Sequence, residues 1–524
     1  MQPRMCYDGA AWEKSEEIAD TWVTLFFDPS ISRPIGDFVI QHHKLDDAVQ
    51  FELLEKGAFN ISLQMKYKVG SAVIRFPIPG ATMFPEEKTR YEVATVRYIK
   101  DQTSIPVPFI YHWGSKKDCP LEVGPFMIMD YIEHDSSMYD VFNYPECPYA
   151  ERGRLDPNID EDILEAAYGE MAGVLLKLAK TSLPRIGSVT QMDDFTWEVA
   201  NRPLPMTVNE LVQLASLPQS CLPTTPFDSA SLYFESLANL LMAHLKNQRN
   251  DAIQSADDCR RKFVARCLFL KLARERKLNK RWDIYDQGPF NLWGDDFRPA
   301  NVLINKEKNI VGIVDFEFTY AAPVEFSFAP PWWLLLKRPE YWPDGLEDWT
   351  KLFDRRLQTF LKAMVQCEDD AIEKGRLSEK DRLSGPMRES WDSGDFWILY
   401  AVLRNFAFDL VYWHKIDHRF FGPSDNVEDA WRQRLDLLDD TEKEEMERLV
   451  AQKLEKRETR VLAWDPDPYT LSHIDIAKTM AAKGNGQTEG KEGDEDSKEK
   501  PNDPDTQQIC EGVARLSTSV PLSG

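Results

Sequence analysis

The period of the apolar positions changes twice along this chain, and the changes divide it. Residues 1 to about 50 carry helical signals, clearest over Trp12–Phe27. Short runs of strand-forming residues follow at Phe51–Leu54, Ile61–Val69 and Ala72–Phe76, separated by Gly57 and by Gly70-Ser71, which predicts an antiparallel meander. Val93, Val96 and Ile99 lie close to one face of a predicted helix over Glu86–Lys100. Phe109–Trp113 and Phe126–Ile132 read as two further strands, so this part runs β-β-β-α-β-β. From about Glu161 the spacing becomes helical, over Ile163–Leu178, Ser229–Lys246 and Arg261–Arg276, then Phe353–Cys367 and the aromatic Phe396–His414. One strand pair interrupts it, Asn301–Ile304 and Ile310–Val314. The expected fold class is α+β: a small β-rich lobe, a large helical lobe, and a cleft between them.

Composition narrows the function classes. A formal net charge of −24 argues against a nucleic-acid-binding surface, which would need a basic stripe, and against docking on anionic lipid. Part of that charge lies in Gly484–Gln508, a Gly-, Asp-, Glu- and Lys-rich stretch expected to be disordered. The eight cysteines include no pair at CxxC spacing and read as free thiols in a reducing compartment. The eight histidines show no zinc-ligand spacing, and Ser188 lacks a nucleophile-elbow context. The N-terminal residues show no apolar secretory core and no apolar run is long enough for a bilayer, so a cytoplasmic protein without membrane partners is expected. The expected divisions are a helical extension (1–50), a β-rich lobe (51–133), a helical lobe (134–470) and a mostly disordered acidic tail (471–524).

The chemistry concentrates in Gly288–Phe318. Asp295-Asp296 precedes a loop, Asn301 opens a strand five residues after Asp296, and the return strand ends in Val314-Asp315-Phe316-Glu317. The hairpin brings Asn301 and Asp315 to one end, with Asp296 one loop away. One carboxylate can then take the proton of an attacking hydroxyl while Asn301 and Asp315 offer oxygen ligands to Mg²⁺. A lone D-x-x-x-x-N is a common accident; the same motif followed by strand, turn, strand and Asp is far more demanding.

This segment resembles the catalytic loop and metal-binding hairpin of the aminoglycoside phosphotransferase family, written H-x-D-x-x-x-x-N and then I-D-x-E. Its WGDDFRPANVL and DFEFTYAAP runs are most similar to a fungal branch of that family. The likeness extends over about residues 50–425. It implies a bilobal protein-kinase-like fold, with Asp296 as base and Asn301 and Asp315 as metal ligands. Gly294 stands where the family has its bracing histidine, with Trp293 as a substitute brace or a core residue. Asp295 leaves the register open, although the +5 spacing to Asn301 favours Asp296.

The resemblance also implies an ATP site in the first lobe. Gly57 occupies the phosphate-loop turn, or an ordinary hairpin turn. Arg75 stands where lysine is usual in V-A-I-K, and Glu92 fits its helix partner; the two basic residues differ in reach and geometry. Asp130, Tyr131 and Ile132 fall at the hinge that would hold adenine through backbone groups. Glu325, Asp409 and Asp417 are candidates for an acidic wall around a cationic acceptor.

The implied activity is ATP- and Mg²⁺-dependent phosphoryl transfer to a hydroxyl of a small molecule, with no nucleic-acid partner. Glu317, in place of the D-F-G glycine, argues against a protein kinase with a flipping activation segment. A pseudokinase serving as a binding or scaffold module is the alternative, favoured by Gly294, Arg75 and the single glycine of the loop. Neither the acceptor nor the oligomeric state is encoded legibly.

Overall fold

The computed structural model describes residues 8–44, 47–144, 153–194, 196–249, 252–459, 466 and 468–473. The acidic stretch 484–508 and Cys6, Cys147 and Cys510 lie outside the described residues. The other five cysteines are free thiols. No helix among the described residues is long and apolar enough to cross a membrane.

The small lobe begins with two helices, α1 (Gly9–Thr24) and α2 (Pro29–His43), capped at their N-termini by the carboxylates of Asp8 and Asp28. Five strands follow: β1 (Ala48–Lys56), β2 (Asn60–Tyr67), β3 (Ser71–Pro77), β4 (Ile110–Gly114) and β5 (Phe126–Asp130). They form one antiparallel sheet in the order β1-β2-β3-β5-β4. Helix α3 (Pro85–Gln102) joins β3 to β4; it has Pro85 in its first turn, and Glu86 and Glu87 complement the positive end of its dipole.

The twofold alternation of a strand sorts the sheet's side chains. Ala72, Ile74 and Phe76 of β3 face Trp22, Ile35 and Val39 of α1 and α2, while Val73 packs with Val93 and Val96 of α3. Burying Ile35 and Val39 completely stabilises this contact by roughly 2 kcal/mol each. Arg75 shares the face of Val73, so its guanidinium points toward α3 and the cleft.

Among the described residues the large lobe is helical apart from three small sheets. The α+β architecture expected from the sequence, a small β-rich lobe followed by a large mostly helical one, is therefore the one observed. Two findings differ in detail. The aromatic stretch 396–414 is not one helix: Asp395–Leu403 ends at Arg404, whose φ of −128° and ψ of 77° leave the helical region, and a short helix resumes at Phe408–Val411. The break is held by Arg404, bonded to Asp295, and by Asn405, bonded to Thr207. The chain also does not stay in the large lobe after residue 134. Residues 468–473 return as a helical turn on the small lobe, where the His473 ring Nε2 lies 2.7 Å from the Val123 carbonyl. On the same side the helix Met206–Ala215 reaches across, with Asn209 bonded to Met83 and Ala81.

Candidate active site

Two short strand pairs place the acidic residues. Val302–Ile304 and Ile310–Ile313 form the expected hairpin, with Val302 opposite Ile313. The Val314 N–H donates to the Asn301 carbonyl at 3.0 Å, which sets Asn301 beside Asp315. Asn301 itself ends a 3₁₀ turn, Pro299–Asn301, rather than opening the strand. The second pair, Asn291–Gly294 with Thr319–Ala322, puts Gly294 opposite Thr319. The two loops leaving these pairs converge. One ligand oxygen from each of Asp296, Asp315 and Glu317 lies within 4.8 Å of the others.

The adjacent aspartates face different surroundings. Asp295 accepts the Met206 N–H at 2.8 Å and Arg404 Nη2 at 3.0 Å, and its side chain is fully buried. Asp296 instead points into the cluster, with Arg298 Nε 3.4 Å from its Oδ1. The Asn301 amide nitrogen donates to the Asp296 carbonyl at 2.9 Å, so Asn301 braces this loop, and only its amide oxygen could ligate a cation. A β-carbon at Gly294 would lie 3.1 Å from Phe297 Cβ and 3.2 Å from Thr319 Oγ1, so the position is too tight for a bracing side chain. The Asp295–Arg404 pair braces the loop in its stead. Trp293 packs edge-on against Tyr320 and Phe326, as a core residue.

Two cations enter from the small lobe. Arg75 donates to Glu92 at 2.7 Å, pairs closely with Asp315, and lies 3.5 Å from Glu317. Lys88, one helical turn before Glu92 and on the same face of α3, pairs closely with Glu317 and donates to Asn60 Oδ1 at 2.7 Å. Asn60 Nδ2 completes a triangle by donating to Glu317 Oε2 at 2.8 Å.

This crowding moves the acidities. Burial pushes the Asp296 carboxyl up, and the Asp315 charge adds to the shift against Arg298, Arg338 and Arg404. Burial acts the same way on Asp315, but Arg75 and Lys88 overcome it and hold Asp315 below the usual range. Glu317 is pushed up to about 7, by burial and by Asp315. Burial also raises Glu92 despite Arg75. The group therefore combines one carboxylate poised to accept a proton with another held ionised. All its donors are hard oxygens, the set that suits Mg²⁺ and not a soft-metal site. Asp315 and Phe318 adopt left-handed backbone (φ 64° and 57°), strain that at such sites costs about 1–3 kcal/mol.

The other sequence candidates fall as follows. Gly57 lies in the β1–β2 turn, its N–H donating to the Asn60 carbonyl at 2.8 Å. That turn reaches the cluster through Asn60 and through Phe59, which packs edge-on against Phe318. At the hinge, the Asp130 N–H donates to Phe109 O and the Tyr131 N–H to Ser71 O, so an adenine contact through these two residues would use their carbonyls. The Asp130 carboxylate is bonded to Tyr111 and the Phe109 N–H. Ile132 packs over Gly312 of the Val302–Ile313 hairpin, where a β-carbon would come within 2.4 Å.

The acidic wall is not present as expected. Asp409 is buried in a two-point pair with Arg266, and Asp417 pairs with Arg434 at 3.0 Å, so both are neutralised internally. Glu325 is buried, and only weak approaches from the Asn279 side chain and its own N–H reach its carboxylate. Sequence reasoning missed Lys88, Asn60, Arg404 and the part taken by Glu317. Only Lys88 carried a signal, its four-residue spacing from Glu92.

No family model matches the chain, and no curated protein matches it. Among solved structures, similarity extends to a Haemophilus somnus protein named for fructosamine-3-kinase (10% identity, 79% of this chain and 99% of that one, TM-score 0.39). It also extends to a thermostable mutant of the aminoglycoside phosphotransferase APH(4)-Ia in ternary complex with AMP-PNP and hygromycin B (13%, 74% and 99%, 0.38). A third is a Plasmodium vivax ethanolamine kinase (14%, 76% and 86%, 0.37). Likenesses this distant carry nothing about chemistry, which rests on the residues of the cleft.

Proposed function

We propose that this cleft is the active site of an ATP- and Mg²⁺-dependent phosphotransferase acting on a hydroxyl of a small molecule. The observation that carries the reading is the convergence of Asp296, Asp315 and Glu317 oxygens within 4.8 Å, faced by the Arg75–Glu92 pair. Asp296, with its raised proton affinity, takes the acceptor's hydroxyl proton as that oxygen bonds to the γ-phosphorus and the bond to ADP breaks. Asp315 and the Asn301 amide oxygen would hold the ion, whose chemistry there is neutralisation of phosphate charge. Arg75 is placed to clamp phosphate once nucleotide competes for it with Asp315. The strand-end acids, the ion pair and the absence of a DFG glycine favour a small-molecule kinase over a protein kinase; the likeness to a fungal branch rests on the quoted sequence alone.

The pseudokinase reading draws on two observations. Arg75 is already bridged between Glu92 and Asp315, and two hinge N–H groups are engaged within the sheet. ADP release from ATP, assayed against a panel of neutral, cationic and acidic alcohols, separates the readings. Acceptor-stimulated release that vanishes in Asp296→Asn supports the enzyme; release absent throughout, with nucleotide still bound, leaves the scaffold.

A further inference from the structure

The Lys88 ammonium is the feature of the cleft that the phosphotransferase reading does not use. It is 2% exposed, so it has no route to water, and it is held at three points: Glu317, Asn60 Oδ1 and the Phe318 ring, whose centroid is 5.8 Å away. Glu317 Oε2 receives Lys88, Asn60 Nδ2 at 2.8 Å and, more distantly, Arg75 Nη2 at 3.5 Å. A carboxylate oxygen has about two lone-pair sites, so this one is saturated by fixed protein donors.

We propose that Lys88 takes the place of a second divalent cation, so that the acidic cluster holds one metal ion rather than two. The inference rests on the phosphotransferase reading. Two-metal phosphoryl-transfer centres hold their ions about 3.5–4 Å apart on shared carboxylates. With Asp315 and Asn301 assigned to the first ion and Asp296 to the proton, Glu317 is the one carboxylate of the cluster left for a second ion, and it already carries a buried cation. Arg75 is engaged in the same way, bridging Glu92 and Asp315, so both small-lobe cations are already committed to the acidic cluster. The Lys88–Asn60–Glu317 triangle also ties the β1–β2 turn to the strand-end acids, so the same lysine fixes the loop above the phosphates without a second ion.

The test counts protein-bound Mn²⁺ per full-length chain in a saturating non-hydrolysable ATP analogue, by equilibrium dialysis, with the EPR spectrum recorded in parallel. The wild type is expected to bind one Mn²⁺ with the spectrum of an isolated ion. Lys88→Met should bind two, with an exchange-coupled spectrum. Lys88→Arg, which keeps a buried cation beside Glu317, should bind one like the wild type. Two coupled ions in the wild type, one ion in a folded Lys88→Met, or two ions in Lys88→Arg would each overturn the role of Lys88. If Lys88→Met does not fold, Lys88→Arg and the wild-type count decide. Failure to bind either analogue or Mn²⁺ is a different result: it removes the phosphotransferase reading and this inference with it.

Discussion

Asp295 and Asp296 are adjacent, and replacing them should have opposite consequences. Asp295 is a structural anion whose side chain is fully buried, bonded to Arg404 and to the Met206 N–H. Asp295→Ala leaves the buried Arg404 guanidinium without its counter-ion, a change that costs about 3–5 kcal/mol. Asp296 is harder to ionise than an ordinary aspartate, because burial and the neighbouring Asp315 both raise its proton affinity. A carboxylate with a raised folded-state pKa stabilises the fold only at low pH, and that contribution is lost as pH rises through the folded value. Asp296→Asn removes this burden, so at pH 7 it should leave stability unchanged or higher while abolishing transfer. Each unit of raised pKa corresponds to about 1.4 kcal/mol. Urea unfolding followed by tryptophan fluorescence at pH 4 and pH 7 measures both variants. Asp296→Asn should gain on wild type between the two pH values. The reasoning fails if Asp296→Asn is the less stable variant, or if Asp295→Ala unfolds like wild type.

Three further outcomes follow from the same structure. Gly294→His, which installs the histidine of the resembled motif, should lose about 1–3 kcal/mol by crowding Phe297 and Thr319, and calorimetry should show a lower melting temperature with no gain in turnover. Arg404→Met should destabilise by about 3–5 kcal/mol, but Arg404→Met with Asp295→Asn should cost less than the two single changes together by at least about 1 kcal/mol; additive urea midpoints would contradict the pairing. Glu325 is buried and its pKa is pushed up to about 8 by burial, with Asp286 adding and weak bonds from its own N–H and Asn279 opposing, so wild-type stability should fall as pH rises from about 5 to 8. Glu325→Gln should remove most of that decline, and an unchanged pH slope in urea unfolding would refute the burden placed on Glu325.

The small lobe was legible because its residues follow simple periods. The strand runs, the glycine punctuation and the α3 stripe each depend on neighbours along the chain, and all five strands and the helix occur in the expected order. The strand-end acids were legible for the same reason, since a hairpin converts fourteen residues of sequence, from Asn301 to Asp315, into adjacency. Contacts made across the fold left no such trace. Arg404 meets Asp295 only because an aromatic run that reads as one helix breaks at that arginine. Asn60 reaches Glu317 from the far end of the chain's first hairpin. Asp409 and Asp417 read as exposed acids because their partners, Arg266 and Arg434, lie on other helices. The choice between Asp295 and Asp296 rested on spacing to Asn301, and the structure adds the reason: the neighbouring carboxylate is engaged in holding the loop.

The central claim is that the strand-end acids form a metal-dependent nucleotide site, and calorimetric titration of ATP with and without Mg²⁺ tests it most directly. Wild-type protein should bind ATP more tightly with Mg²⁺, and Asp315→Ala should lose that dependence while remaining folded. ATP affinity indifferent to Mg²⁺, or a Mg²⁺ effect that survives in Asp315→Ala, would contradict the account.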